Sequence, residues 1–477
     1  MGGRAGDRNP VSPEKQAPAD WQVKTADAKP RNIRWSAVLG SHLLGGPVVA
    51  DGLVWVGTNN EARDADPPDH AVLACLRESD GKLLYRYLSP RRGGFPIDWP
   101  RQSLSGSPLA EGDRLWFCTN RREVVCLDTG PLRRGTGEPR VVWKLDMVDT
   151  LKVHPRALMI PGPDTLGSPA AHGEFLYVPT GNGRSADNRS VPAPDAPSLA
   201  CVRKDTGKVV WTDNSPGKAM LYGHYASPVV VEVAGRAQVI HPQADGWVRA
   251  FDAVTGKLIW KFDVNPKAAK GDRIGAPQSE RVYVVATPVS AGGRVFFATG
   301  LDPEGCGPGP GRLFCVDPTR TGDVSSEVDA GPGRGKPNPN SAVVWEFTRA
   351  GPAEGDRMRL TLSSVAVHAG LVFAPDFMGH VHCLDANTGK RYWTHDTKDV
   401  VYGNPLVADG KVYVGTQEGL VWVLGAGKTK QVVGKFDMEY PVTAGPVFAN
   451  GALYVMTWHH IYAIAAGPGG LNKEPGR

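Results

Sequence analysis

The amino-acid sequence predicts an all-β fold, a single eight-bladed β-propeller of four-stranded antiparallel blades whose last blade is closed by an N-terminal strand. Three observations carry that expectation. One phrase is written nearly twice, FDAVTGKLIW at 251–260 and CLDANTGKRYW at 383–393, with Asp-x-x-Thr-Gly-Lys-x-x-Trp in common. A second landmark, a small residue, usually Pro, then an apolar strand, a turn and another apolar strand, recurs eight times. The eighth repeat ends after its third strand, IYAIAAG at 461–467, while IRWSAVLG at 33–40 stands ahead of the first. Self-similarity of this kind marks a repeat architecture, and four strands in each of eight units make a propeller.

Residues 1–30 are rich in Pro, Ala and charge without apolar periodicity, and read as a disordered segment. They also lack the apolar h-region of a secretory signal. Residues 31–467 hold the propeller, and 468–477 read as a flexible tail. The repeats start at GGPVVADGLVWVGT (45), SGSPLAEGDRLWFCT (105), LGSPAAHGEFLYVPT (166) and ASPVVVEVAGRAQVI (226). ATPVSAGGRVFFATG (286), SSVAVHAGLVFAPD (363), GNPLVADGKVYVGT (403) and AGPVFANGALYVMT (444) follow. Two further strands complete each unit, so its strands A to D are joined by Asp-Gly, Asn-Gly or Thr-Gly turns that permit the positive φ of tight hairpins.

In the duplicated motif, Asp and Thr-Gly shape the turn between strands C and D, with Gly256 and Gly389 in a conformation that would strain a side chain. The Trp three or four residues on is expected to lie against the neighbouring blade, where burying the ring is worth about 1.5–3 kcal/mol or more. Tyr85, Trp143, Trp211, Trp345 and, more loosely, Phe436 take the equivalent place, with Trp35 completing the last blade. Cys75, Cys126, Cys201, Cys315 and Cys383 fall on or beside one third-strand position, shared with Ala250 and Ala463, and read as small buried hydrophobes. Cys118 could face Cys126 across a hairpin, and Cys306 lies in a Gly-Pro loop. Without paired spacing the seven cysteines make neither a disulfide framework nor a zinc site.

Gly (58) and Pro (41) exceed average usage in 477 residues, and no apolar run is long enough to span a bilayer, as expected of a soluble, turn-rich β protein. The net charge of +5 is mild, and the first 34 residues carry much of it, with seven Lys/Arg against four Asp/Glu. No basic stripe interleaved with aromatics points to a nucleic-acid partner.

The Trp-bearing motif, the eightfold count and the closing strand together resemble the pyrroloquinoline-quinone-like (PQQ-like) β-propeller repeat family over nearly all of residues 33–467. That family includes quinoprotein alcohol dehydrogenases and the outer-membrane-assembly propeller lipoprotein, so the resemblance implies the fold and leaves catalysis open. ASPVVVEVAGRAQVI, YWTHD and GHVHCLDANTGK look most like uncharacterised bacterial members of a kind common in planctomycetes. Dehydrogenases of the family hold the quinone and a calcium ion on the channel face, with a catalytic Asp and usually an adjacent Cys-Cys disulfide. This sequence contains no Cys-Cys. PTGNGRS at 179–185 looks like the loop through which such enzymes offer an Asn oxygen to calcium, which would make Asn182 that ligand. The competing reading is a Gly-rich loop between strands B and C, and no matching Glu is evident.

Two sets of loops are expected to share the channel face. Those before the A strands hold His42, Asp98, Arg101, His154, Asp164, Tyr222, His224, Tyr225, Arg281, Arg359, Tyr402, Asn404 and Tyr440. Those between strands B and C hold Glu61, Asp64, Asp66, Asn182, Asp187, Asp302, Glu304, Asp376 and Glu418. Asn182, Tyr222, His224, Arg359 and Asp376 are the candidate cofactor-binding residues among them. Converging polar and aromatic groups suit a ligand site or a partner surface, although the loops of any propeller are polar. His380 and His382, two apart on a strand, face one way, with metal chelation set against a role in inter-blade packing; His459 and His460 face opposite ways. Asp302 and Glu304 lie in a Gly-Pro loop with no sign of a pocket to drive their pKa values apart. No Gly-x-Ser-x-Gly elbow, phosphate loop or His-Glu-x-x-His helix is present.

The expectation is a non-catalytic, cofactor-free, monomeric scaffold that offers its channel face to a protein or small ligand, with no nucleic-acid partner and no transmembrane segment. The alternative is a divergent PQQ-dependent alcohol or sugar dehydrogenase using the quinone with calcium. A polymer-binding module with exposed aromatics at the mouth comes third. The resemblance places the protein in the periplasm or otherwise exported, whereas the missing signal leaves the cytoplasm open.

Overall fold

Short apolar runs separated by turn glycines close into antiparallel hairpins, and in the computed structural model they build eight blades of four antiparallel strands, two of them extended by a short fifth, parallel strand. The structure describes residues 8–41, 45–61, 70–90, 92, 103–154, 167–185, 187–274, 279–301 and 309–465. Blades 1 to 7 comprise residues 48–90, 109–146, 170–213, 229–263, 289–347, 366–396 and 406–437. Blade 8 joins residues 447–465 to Ile33–Val38, which runs antiparallel to His460–Ala465 with Trp35 opposite Ala463. The ring therefore closes as the sequence predicts. The short A strands contact one another around the axis. The D strands form the rim, where Val141, Val210, Val344 and Val432 are exposed.

The small residue that opens each repeat links neighbouring blades. Ser107 N donates to Ser168 Oγ at 2.9 Å, Ser168 N to Ser227 Oγ at 2.8 Å, and Ser364 N to Asn404 Oδ1 at 2.7 Å. In the reverse direction Ser107 Oγ donates to Gly46 O and Ser364 Oγ to Thr287 O. These bonds satisfy backbone groups that the short inner strands would otherwise leave buried and unpaired.

The rim is held by the duplicated motif. Gly256 and Gly389 have φ of +72° and +70°, as their turn requires. The Trp of one blade donates its Nε1–H to a carbonyl in the C–D turn of the next: Trp35 to Glu78, Trp143 to Lys204, Trp211 to Ala253, Trp345 to Ala386 and Trp393 to Gly427, at 2.8–3.1 Å. Blade 5 replaces that turn with an insertion, and Trp260 reaches it by relay. Trp260 Nε1 donates to Gln238 Oε1, and Gln238 Nε2 to Pro318 O. Within the insertion, Gly322–Asp323 adds a parallel strand to the outer edge of blade 4.

Cys75, Cys126, Cys201, Cys315 and Cys383 each lie opposite the rim aromatic of their own blade. All six described cysteines are buried and free. Cys118 pairs with Val124 and Cys126 with Trp116, so the two thiols do not face each other. In blade 7 the position opposite Val423 belongs to Gly434 rather than to Phe436.

The small Gly434 leaves room for the N-terminal segment. Residues 1–30 read as disordered, yet residues 8–23 pack on the propeller. Trp21 is 2% exposed, stacks on Phe436 with ring centroids 3.9 Å apart and donates Nε1–H to Met438 Sδ. With Ala17 and Val23 it fills the seam between blades 7 and 8 that the missing Trp of blade 7 leaves open. Tyr413 Oη donates to Pro18 O at 2.7 Å within the same seam. The expected tail at 468–477 lies outside the described residues.

Candidate functional site

The turns between strands B and C and the connections before the A strands share one face, as expected. His42, Asp64, Asp66, Asp98, Arg101, Asp164, Asp302, Glu304 and Cys306 lie outside the described residues. The five candidate cofactor-binding residues fall into two groups on different blades.

The first group lies at blades 3 and 4. Asn182 is fully buried; its Oδ1 accepts from His154 N at 3.1 Å, and its Nδ2 donates to Ala193 O and Ala196 O. Tyr222 is buried with its ring 6.3 Å from Tyr225 and 6.5 Å from Tyr283. His224 is buried beside His241, ring centroids 6.2 Å apart. Ala244 N donates to His224 Nδ1 at 3.3 Å, and His241 Nε2 faces Ala226 O at 3.3 Å, which assigns the ring proton to Nε2 in both. Burial pushes the His241 pKa down to about 4. His224 is lowered in the same direction, by burial and then by His241, Arg249 and Arg122.

Residues that the sequence did not single out complete this group. Arg249 makes a bidentate pair with Asp245, at 3.0 and 2.6 Å, and also donates to Gln243. Gln243 Nε2 in turn donates to Ser198 Oγ and Asp213 Oδ2. The available signal was the density of polar residues in HPQADGWVR at 241–249, a strand end that a half-buried hairpin would normally fill with apolar residues.

The second group lies where blade 5 meets blade 6. Asp376 is fully buried and accepts from Arg359 N at 3.2 Å and His380 N at 3.0 Å. His380 Nδ1 and His382 Nε2 lie 3.4 and 3.5 Å from Asp376 Oδ2. Burial alone would raise this carboxyl, yet hydrogen bonds and charge from the two histidines hold it at about 2. His382 Nδ1 is also within 3.0 Å of Thr394 Oγ1, and its ring packs edge-on against Phe347 of blade 5, the inter-blade role weighed for it. His459 and His460 pack against Tyr440.

Asn182, Tyr222, His224, Arg359 and Asp376 are not gathered at one point. Among the described residues no group of three or more His, Cys, Asp or Glu is arranged to hold a metal ion. The Asn182 carboxamide is engaged on both sides by its own loop and the preceding connection. Asn182 and Asp376, the two oxygen donors proposed for the cofactor, sit on blades 3 and 6. Tyr222 packs with Tyr225 and Tyr283 in one apolar cluster beside the first group.

An eight-bladed ring with Trp-docked seams defines a PQQ-like β-propeller. Residues 69–326 and 309–432 match the family model described as outer membrane protein assembly factor BamB, and the chain belongs to that family. A curated relative, the dehydrogenase subunit of alcohol dehydrogenase (quinone) from Gluconacetobacter polyoxogenes, is 23% identical over 308 residues. That match covers 57% of this chain and 36% of the relative, so the chain spans about a third of the relative's length. Among solved structures, BamB from Moraxella catarrhalis superposes with a TM-score of 0.54 at 14% identity, covering 90% of this chain and 96% of that one. Sqt1 from Saccharomyces cerevisiae gives 0.57 at 11% identity, covering 92% and 99%. At these identities the structural likeness speaks for the fold alone. No helix among the described residues is long and apolar enough to cross a membrane.

Proposed function

We propose that the chain is a non-catalytic binding scaffold whose loop-rich channel mouth receives a protein or a small ligand. The observation that supports this reading is where the mouth spends its polar atoms: Asn182, His224 and Asp376 are buried and bonded to loop backbone, which makes a rigid rim for recognition. Membership of a family described by an assembly factor fits the same reading. A monomer exported to the periplasm completes it; gel filtration and cell fractionation test those two points.

The second reading is a PQQ-dependent dehydrogenase, favoured by the quinone alcohol dehydrogenase relative. One experiment separates the two. The purified chain is titrated with PQQ and calcium while cofactor absorbance and melting temperature are followed. Unchanged spectra and melting in a folded protein support the scaffold. Saturable binding with a raised melting temperature overturns it and directs attention to alcohols and sugars with an artificial electron acceptor.

A further inference from the structure

The A strands wall an axial channel, and residues 8–12 lie inside it. Val11–Ser12 pairs in parallel with the A strand of blade 7, Val11 opposite Val407 and Ser12 opposite Ala408. Val407 N donates to Pro10 O at 2.9 Å. On the neighbouring wall, the Asn9 carboxamide takes both backbone hydrogen bonds of Val367 in blade 6, Nδ2 to the carbonyl at 2.8 Å and Oδ1 from the amide at 2.9 Å. A side chain there imitates the peptide group of a pairing strand.

Arg8 crosses the channel. Its Nη2 donates to Pro169 O at 2.6 Å and approaches Ser168 O at 3.4 Å, at the start of the A strand of blade 3. In an eight-bladed ring blade 3 stands opposite blade 7, so the backbone of the segment lies on one wall and its cation on the other. Arg8 is 7% exposed and Ser12 8%. The chain then leaves past the A–B turns of blades 7 and 8. There Gln16 N donates to Asp409 Oδ2, and the Glu14 carboxylate accepts from Asn450 N and Gly451 N.

We propose that the axial channel is a binding site for an extended peptide, occupied here in cis by residues 8–12. When that segment withdraws, the site takes a partner's extended segment of the same chemistry, a guanidinium followed by Asn-Pro and two strand residues. The chemistry is that of strand addition: an inner strand bonded on only one side supplies backbone groups, and the opposite wall supplies carbonyls for a cation. Withdrawal need not unpick the fold. The two-residue pairing is followed by Pro13 and Pro18, and Trp21 holds its own seam beyond them. The proposal is independent of the reading of the mouth, because its contacts are with the A strands of blades 3, 6 and 7.

The test uses the chain lacking residues 1–12 and a fluorescein-labelled synthetic peptide of residues 8–13, followed by anisotropy. Saturable binding to the truncated chain is expected, weakened about tenfold when the peptide carries Asn9→Ala, which removes two hydrogen bonds. No binding to the full chain is expected, since its site is filled. A truncated chain that melts cooperatively yet binds no peptide, or equal binding to both chains, overturns the proposal. Should truncation prevent folding, the full chain carrying Ser12→Cys and Cys306→Ser is labelled with a thiol reagent. Labelling about a hundredfold slower than in denaturant, and accelerated about tenfold by Asn9→Ala, supports seating. Labelling at the unfolded rate, or indifference to Asn9→Ala, overturns it.

Discussion

A β-carbon on Gly256 would lie 2.6 Å from Cδ2 of Trp211, the indole of the preceding blade. The same relation holds between Gly81 and Trp35, Gly207 and Trp143, and Gly389 and Trp345. Each copy of the motif therefore serves two seams. Its Thr-Gly turn receives the Trp of the blade behind, and its own Trp reaches the blade ahead. What reads as one local phrase is half of each of two long-range contacts.

Gly256→Ala should therefore cost more than its positive φ alone would. A side chain at φ of +72° costs about 1–2 kcal/mol, and crowding the indole adds about 1–3 kcal/mol. Gly52 has φ of +79° with nothing within 4 Å of its imaginary β-carbon, so Gly52→Ala should show the first cost alone. Urea midpoints of the two variants measure the difference. Equal losses would mean that the indole yields and that the docking does not depend on glycine.

Trp21→Ala should destabilise the protein by about 3–5 kcal/mol, the usual cost of emptying a buried aromatic site. A disordered segment would predict no change at all. Guanidinium unfolding, together with amide exchange of Tyr413 and Val455 on the two sides of the seam, distinguishes these outcomes.

Much of the fold was legible because its signals are local: turn glycines, a rim Trp at fixed distance, and a strand missing at one end and spare at the other. The N-terminal segment was not legible. Ala17, Trp21 and Val23 fill the seam singly from a Pro-rich chain, so they leave no 2- or 3.6-residue period. The clue was an absence matched by a surplus, Gly434 where a rim Trp belongs and an unexplained Trp21 upstream. At the mouth, loop position was enough to nominate Asn182, His224 and Asp376. Whether their polar atoms face a ligand or their own backbone depends on hydrogen bonds between distant residues, which no local pattern encodes.

The cysteines offer a chemical check on the strand register. Burial pushes the Cys126 thiol up to about 11 and the Cys118 thiol to about 12, and raises those of Cys75, Cys201, Cys315 and Cys383 as well. Thiolate is the reactive form, so six of the seven thiols should resist a disulfide reagent at pH 8 until the protein is denatured. Quantitative reaction of two or more thiols in the native state would mean that the strands carrying them, the second strand of blade 2 for Cys118 and third strands for the rest, are not where the blades place them.

Stability should fall on mild acidification because of the histidine pair at blade 4. His241 titrates at about 4 in the folded chain against an ordinary 6.5, so the unfolded chain binds the proton more readily between those values. Its contribution is fully present above about pH 6.5 and is lost as the pH falls toward 4, amounting to about 3 kcal/mol across the gap. His224, lowered in the same direction, adds to the slope. His380 is raised by its hydrogen bond with Asp376 and works against it, since its contribution is present in acid and fades as the pH rises through its folded value. Asp376, held at about 2, loses its contribution only below the ordinary carboxylate range, outside this window. Melting temperatures between pH 7 and 4.5 should therefore fall for the native sequence and fall less for His241→Gln, although that variant starts lower. Parallel curves for the two proteins would mean that His241 is not buried as a neutral ring, and the assignment of its proton to the Ala226 carbonyl would fail with it.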